Sequence, residues 1–314
     1  LKPTVQLLGL SEAAERRVRD ALCDPDIEAL GAEVSSVGPA APLPPPRRGL
    51  VLVAEPAQLS LAPEARKSLL RRSDVIVLDC GELEHTVRLA GEHDGANHIL
   101  AQGGDLLPRQ LRTTLRQLFT RETLPLSSHL RPGTSILTVK LTGSDGKDAC
   151  LSRLRRDLAH VDAIGDLPAI ADTVASELIM NAVFNAPHDE HDRPKYRDVA
   201  RHANFSLSES EEVTVSYGFD DVAFALSVHD NSGMLTRETL LANLLRATRG
   251  GAAQINLRSA GAGVGFYMVL GSSSLLEVHV VRRRSTRTIA VIGLTRRHRH
   301  LEELGHSLNL FFVE

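Results

Sequence analysis

Cysteine is scarce in this sequence. The 314 residues hold three, Cys23, Cys80 and Cys150, far apart and without a C-x-x-C pair. That argues against a disulfide framework or a zinc ribbon and fits a reducing cytoplasm. An excess of charge of one sign is also missing. The net charge is -3, so there is no electrostatic case for nucleic acid as the main partner. The short basic runs at residues 282–284 and 296–300 adjoin strand-like segments and read as solvated edges. No apolar run approaches the length of a membrane span, and no membrane partner is expected. No signal peptide opens the sequence; because the first residue is leucine, the true N-terminus is expected to be missing or altered. Internal repeats are absent too. What is present, 42% hydrophobic and 24% charged residues, is the balance of a folded globular chain long enough for about two domains.

The first 120 or so residues alternate strand and helix signals. The strand-like runs are TVQLLGL, the weaker GAEVSSV, RGLVLVAEP, DVIVLDC and NHILAQ. Helical stretches fall at residues 11–22, 62–72, 82–92 and 107–119. Apolar strands alternating with helices predict a parallel sheet covered on both faces. The five prolines of PAAPLPPP stand where a further helix would otherwise be expected, and proline forbids it. Residues 123–133, rich in turn formers, read as a linker. Three segments follow on the sequence: an N-terminal domain at 1–122, the linker, and a second domain at 134–314.

The second domain has a different character. SILTVKL alternates, with Leu137, Val139 and Leu141 on one face. Leu151, Leu154 and Leu158 then recur at helical spacing. A second helix is predicted from Asp166, an N-cap with Pro168 in the first turn, to Pro187. EVTVSYGFDDVAFALSVHD reads as two antiparallel strands, LLEVHVV and TRTIAVIGL as two more. The stretch 231–260 reads as a polar, glycine-bearing segment.

Three groups of residues stand out. Glu177, Asn181 and Asn185 recur every four residues and line one face of an otherwise apolar helix. VHDNSG ends a strand in Asp230, with Gly233 just beyond. GAGVG places Gly261, Gly263 and Gly265 at the start of a short helix. Each group has an ordinary structural reading: a solvated helix face, a turn-forming aspartate, a loop. A magnesium ion accepts oxygen ligands, and an amide oxygen of Asn181 suits it. Glu177, one turn earlier, can deprotonate or orient a water or hydroxyl. Glycines at a helix start let backbone N–H groups approach phosphate.

In this order, and over residues 134–295, the three groups resemble the GHKL ATPase superfamily of gyrase, histidine kinases and mismatch-repair ATPases. The arrangement is most similar to the anti-sigma-factor serine kinases and related bacterial regulators. The resemblance implies a C-terminal α/β two-layer sandwich of the histidine kinase-like ATPase type, with ATP and Mg2+ as cofactors. It implies Glu177 as the catalytic group that polarises the nucleophile and Asn181 as the metal ligand. Asn185, Asp230, Gly233, Gly261, Gly263, Gly265 and Thr288 (or Thr286) would hold the nucleotide, Asp230 through the adenine amino group. The N-terminal domain resembles a receiver in its strand and helix order, a flavodoxin-like parallel sheet.

Departures from both patterns bear on activity. Ser232 and Met234 stand where the family has glycine, and Asn185 where kinases often have histidine. No histidine-bearing helical hairpin precedes the domain; His129 lies in the linker, which argues against an orthodox histidine kinase. The receiver-like part has Glu55 near the phosphoacceptor position and lacks the lysine, so its phosphorylation chemistry is expected to be lost. HDEHDR, residues 188–193, offers metal-ligand types but reads as a solvated loop. No Ser/His/Asp triad is supported.

The expectation is a cytoplasmic bacterial signalling regulator that binds Mg-ATP, with slow hydrolysis or phosphorylation of a protein serine. Its partner would be a protein of the pathway or a second copy of the chain. The alternative is a catalytically inactive module of the same fold used for protein interaction or dimerisation. A DNA-topology or repair ATPase is a third reading, disfavoured because little sequence follows the last strand recognised.

Overall fold

The computed structural model describes residues 3–23, 25–29, 31–38, 49–57, 74–93, 96–103, 106–161, 167–196, 198–200, 203–249, 264–294 and 305–313. The chain is mixed α/β and divides into two compact units. The first comprises Leu1–Pro125 with Gly305–Asn309, the second Leu126–Leu304 with Leu310–Glu314.

In the first unit five strands run parallel in the order β2-β1-β3-β4-β5. They are β1 (Thr4–Leu8), β2 (Glu33–Val37), β3 (Leu50–Ala54), β4 (Asp74–Asp79) and β5 (His98–Ala101). Strand β3 is buried throughout and β4 nearly so, as expected of uninterrupted Val/Leu/Ile runs covered on both faces. Three longer helices, α1 (Glu12–Leu22), α3 (Leu83–Glu92) and α4 (Leu107–Thr120), and the single turn α2 (Pro25–Glu28) connect them. Helix α1 starts where Ser11 accepts the Ala14 N–H, and buries Ala14, Val18, Ala21 and Leu22 along one stripe. The helix expected over 62–72 and the proline run at 39–46 lie outside the described residues.

A further strand, β11 (Ser307–Val313), is absent from the sequence reading. Its Leu308 and Asn309 pair antiparallel with Ile99 and His98 of β5. Ser307 and Asn309 are fully buried, which polar residues tolerate only when hydrogen-bonded. The Ser307 hydroxyl donates to Gln110 Oε1 (2.7 Å) and accepts the Ala101 N–H (2.9 Å); Asn309 Nδ2 donates to the Thr114 hydroxyl (2.8 Å).

The second unit is built on antiparallel strands in the order β9-β10-β8-β7-β6. These are β6 (Leu137–Leu141), β7 (Val213–Phe219), β8 (Ala223–Asp230), β9 (Leu275–Val281) and β10 (Ser285–Gly293). The last residues of β11 lie beside β9, where the Arg282 N–H reaches the Val313 carbonyl (3.0 Å). Helices α5 (Gly146–Leu158) and α6 (Leu167–Met180) pack on each other. Helix α6 continues as a π turn over Asn181–Asn185. The N-cap expected at Asp166 lies outside the described residues. Among the described residues, 167–185 is the one helical stretch apolar and long enough to cross a membrane, and half of it is buried inside the protein as a core helix is.

The polar segment expected at 231–260 instead contains helix α7 (Arg237–Arg249). Thr236 caps it, its hydroxyl accepting the Thr239 N–H (3.2 Å), and Leu240, Leu241, Leu244 and Ala247 make its buried stripe. Helix α8 (Gly265–Gly271) precedes β9.

Strand register sorts the polar groups of the second unit onto two faces. Thr286 faces Asp230 across the β10–β8 pair, while Ile289 faces Glu277 on one side and Ser227 on the other. Since side chains alternate, Asp230, Thr286 and Thr288 share one face, and Glu277, His279 and His229 the other. Glu277 is fully buried. Its Oε1 lies 2.7 Å from His279 Nε2 and 3.5 Å from Nε2 of His129, itself buried in the single turn Leu126–His129. Phe311 stacks flat on His279 at 4.4 Å between centroids. Burial alone would push the Glu277 carboxyl up; the His129 and His279 imidazoles outweigh it and hold the carboxyl well below 4.5.

A carboxyl lowered in the folded state contributes stability above its ordinary pKa and loses it on acidification. Glu277→Gln should therefore cost about 3 kcal/mol at neutral pH, the scale of a broken buried pair. Urea unfolding across pH should show the gap between parent and variant closing as pH falls below 4.5. An equal gap at every pH would mean that the ionised carboxylate is not what stabilises this face.

Candidate functional site

The polar stripe read from the sequence sits where α6 changes pitch. Over Asn181–Asn185 the backbone bonds from residue i to i+5, seen where the Ala186 N–H meets the Asn181 carbonyl at 2.9 Å. Single π turns inside α-helices concentrate at functional sites. The wide turn buries Ala182, Val183 and Phe184. Phe184 meets Phe205 edge-on at 5.2 Å, and Phe205 stacks on Tyr196 at 4.2 Å, so an aromatic clamp holds the exit of the helix.

Asn185 Nδ2 donates to Asn181 Oδ1 (3.0 Å). Asn181 Nδ2 is buried and makes no hydrogen bond among the described residues. An amide left in that state costs about 1–3 kcal/mol. A half-turn of the amide would exchange the two atoms and bring the oxygen to the buried position.

Gly265, first residue of α8, closes this corner. A Cβ there would lie 2.4 Å from Glu177 Oε2 and 3.8 Å from Asn181 Nδ2. The first distance is far inside van der Waals contact, so a side chain there fits only if the Glu177 carboxylate moves. The structure thus brings Glu177, Asn181, Asn185 and Gly265 together. Gly261 and Gly263 lie outside the described residues.

Asp230 ends β8 and is 7% exposed. Its Oδ1 accepts the Ser232 N–H (3.0 Å) and the Ser232 hydroxyl (2.7 Å). Burial raises the Asp230 carboxyl, opposed by these bonds and by others from the Gly233 N–H and the Thr286 hydroxyl. The threonine that reaches Asp230 is therefore Thr286; Thr288, also buried, stands opposite Val228. Gly233 has a local task. With φ at +62°, it presses against the turn between β9 and β10, where a Cβ would lie 2.2 Å from the Val281 carbonyl oxygen. The Arg283 N–H donates to its carbonyl (3.0 Å).

In HDEHDR, Asp189 Oδ1 accepts the N–H groups of His191 and Arg193 (both 2.9 Å), and His188 Nδ1 lies 2.7 Å from the Ala186 carbonyl oxygen. The Arg193 bond foremost, with the His191 bond, lowers the Asp189 carboxyl against a smaller effect of burial. These groups close the loop. Glu55, at the end of β3 in the first unit, accepts the Ser11 hydroxyl (2.7 Å) and Gln102 Nε2 (3.4 Å).

The features that sequence alone did not reveal are the π turn and the aromatic clamp, whose Tyr196 and Phe205 lie in a segment without periodicity. The chain matches no protein-family model. It matches no curated protein. Among solved structures it is similar to a chain of the crystal structure of the SiaB-SiaC complex from Pseudomonas aeruginosa, with 18% identity and a TM-score of 0.31, over 50% of this chain and 89% of that one.

Gly265→Ala tests the geometry of the corner. The methyl group should drive the Glu177 carboxylate into another rotamer while α8, which gains a better helix former, stays folded. A crystal structure of the variant should show Glu177 displaced. A Glu177 carboxylate that keeps its place beside the added methyl group would mean that the close approach is not a constraint.

Proposed function

We propose that the second unit is a nucleotide-binding module of the histidine kinase-like ATPase type, in a regulator of bacterial signalling. The observation that carries this reading is the corner formed by Glu177, Asn181 and Gly265. A backbone lying against a carboxylate, next to a buried amide nitrogen without a hydrogen bond among the described residues, suits a phosphate-bearing ligand and its cation. Magnesium, bound with ATP, would neutralise phosphate charge. Asn181 would hold the cation through its amide oxygen. Glu177 would accept a proton from a water or protein serine hydroxyl. The antiparallel order β9-β10-β8-β7-β6, with two long helices between β6 and β7, supports the same reading.

The first unit reads as a receiver-like domain without its phosphorylation chemistry. The parallel order β2-β1-β3-β4-β5 supports it, being the flavodoxin-like order. Glu55 is tied to Ser11 and Gln102 in place of an aspartate beside a lysine. A protein partner in the cytoplasm, or a second copy of the chain, would receive the signal.

One observation favours the alternative, a module that has lost catalysis. Ser232, at a family glycine position, places both its donors on Oδ1 of Asp230, the carboxylate that adenine would use. Ser232→Gly removes the hydroxyl and frees a lone pair. If the pocket is intact, Mg-ATP affinity measured by calorimetry should rise about tenfold, the value of one hydrogen bond of about 1.4 kcal/mol.

Asn181→Ala and Glu177→Gln separate binding from chemistry. Asn181→Ala should weaken Mg-ATP more than magnesium-free ADP. Glu177→Gln should bind ATP as the parent does and lose about 10²–10⁴-fold in turnover. Nucleotide binding without turnover in the parent would select the inactive module. No binding in parent or Ser232→Gly would end the nucleotide reading.

A further inference from the structure

The first unit holds a second group of reactive side chains, outside the nucleotide corner. Asp79 ends β4, Cys80 follows, and His85 lies in the first turn of α3. Their donor atoms all lie within 4.8 Å of one another. His85 Nδ1 is 2.8 Å from Asp79 Oδ1. Cys80 Sγ is 3.7 Å from Asp79 Oδ2 and 3.7 Å from His85 Nδ1. We infer that Asp79, Cys80 and His85 form a binding site for a thiophilic divalent cation of the zinc type.

The geometry favours a metal over a nucleophile. A cysteine activated by a histidine–aspartate pair needs the two ring nitrogens to face different partners. Here the thiol and the carboxylate both approach Nδ1, so no relay through the ring can form. Three donor groups within 4.8 Å of one another, a thiol, an imidazole and a carboxylate, are instead the set a thiophilic cation takes. Tetrahedral zinc, with ligands about 2.0–2.3 Å away, sets its donors about 3.3–3.8 Å apart. Both distances to the sulfur fall in that range. The shorter His85–Asp79 distance is a hydrogen bond, whose proton leaves as the ion enters. Thiolate, carboxylate and neutral imidazole then balance the charge of the ion.

The support is rigid on one side and open on the other. Asp79 is buried, and its Oδ2 also accepts the Gly81 N–H (3.3 Å) and the Thr86 hydroxyl (3.5 Å). Gly81, with φ at +85°, is wedged against Ala101 and the backbone of Gly305 and His306, which fixes the turn that carries Cys80. Cys80 itself is exposed, leaving room for a water or an exogenous ligand in the fourth position. The site lies at the carboxyl end of a parallel strand, the end at which open α/β sheets bind ligands.

Cobalt(II), which reports thiolate ligation by absorbance, tests the assignment on the full chain after treatment with a chelator. One equivalent should bind, with a sulfur-to-cobalt charge-transfer band and the strong visible bands of a tetrahedral ion, and zinc should displace it. Cys80→Ser should abolish the charge-transfer band, and Cys23→Ser and Cys150→Ser should keep it. His85→Gln, at a part-exposed position that tolerates change, should weaken binding at least tenfold. Absence of the band in the parent, or its survival in Cys80→Ser, overturns the assignment. Unchanged affinity in His85→Gln also overturns it, since Cys80 would then bind alone and His85 would be only the ion-pair partner of a buried carboxylate.

Discussion

The polar corner of the second unit turns on one missing methyl group. At Gly265 the backbone of α8 runs so close to Glu177 that any side chain would displace the carboxylate. The acid lies beside an amide whose buried nitrogen finds no partner among the described residues. A polar atom left in that state costs about 1–3 kcal/mol. The proposed nucleotide site would give both the close approach and the buried amide nitrogen a use. The π turn serves the same corner: it bends the path of α6 after Glu177, and the Phe184–Phe205–Tyr196 contacts hold the bend.

The two faces of the antiparallel sheet divide the work. On one, Asp230 and Thr286 are hydrogen-bonded at the end of β8, and the Ser232 hydroxyl holds the carboxylate. On the other, Glu277 is buried between two histidines, with Phe311 stacked on one of them. In the second arrangement the two imidazoles hold the buried carboxyl below its ordinary range. In the first, the Asp230 Oδ1 accepts both the hydroxyl and the backbone N–H of Ser232, and a glycine would keep only the N–H.

Much of this was legible in the sequence, for clear reasons. The apolar runs that became β1, β3, β4, β5, β8, β9 and β10 are buried, so their composition announced them. The stripe of Glu177, Asn181 and Asn185 was visible because four-residue spacing survives even where the helix widens. Helix α7 was hidden because its buried residues are diluted by threonine, asparagine and arginine in a segment flanked by glycine. Strand β11 was hidden because Ser307 and Asn309 are held in the interior by hydrogen bonds to α4 and β5, not by hydrophobicity. Register decided between two threonines that spacing could not separate: Thr286 faces Asp230 and Thr288 faces Val228. The Asp79–Cys80–His85 group has no motif at all; a strand end and a helix start assemble it in space.

The central claim is that Asn181 and Gly265 meet a magnesium–nucleotide complex. An amide NMR titration of the full chain with Mg-ATP tests it most directly. The account predicts saturable shifts of the Gly265 backbone N–H and of the Asn181 side-chain NH2, larger with magnesium than without, while the Ser307–Asn309 amides of the first unit stay in place. Unmoved Gly265 and Asn181 resonances at saturating nucleotide would contradict it.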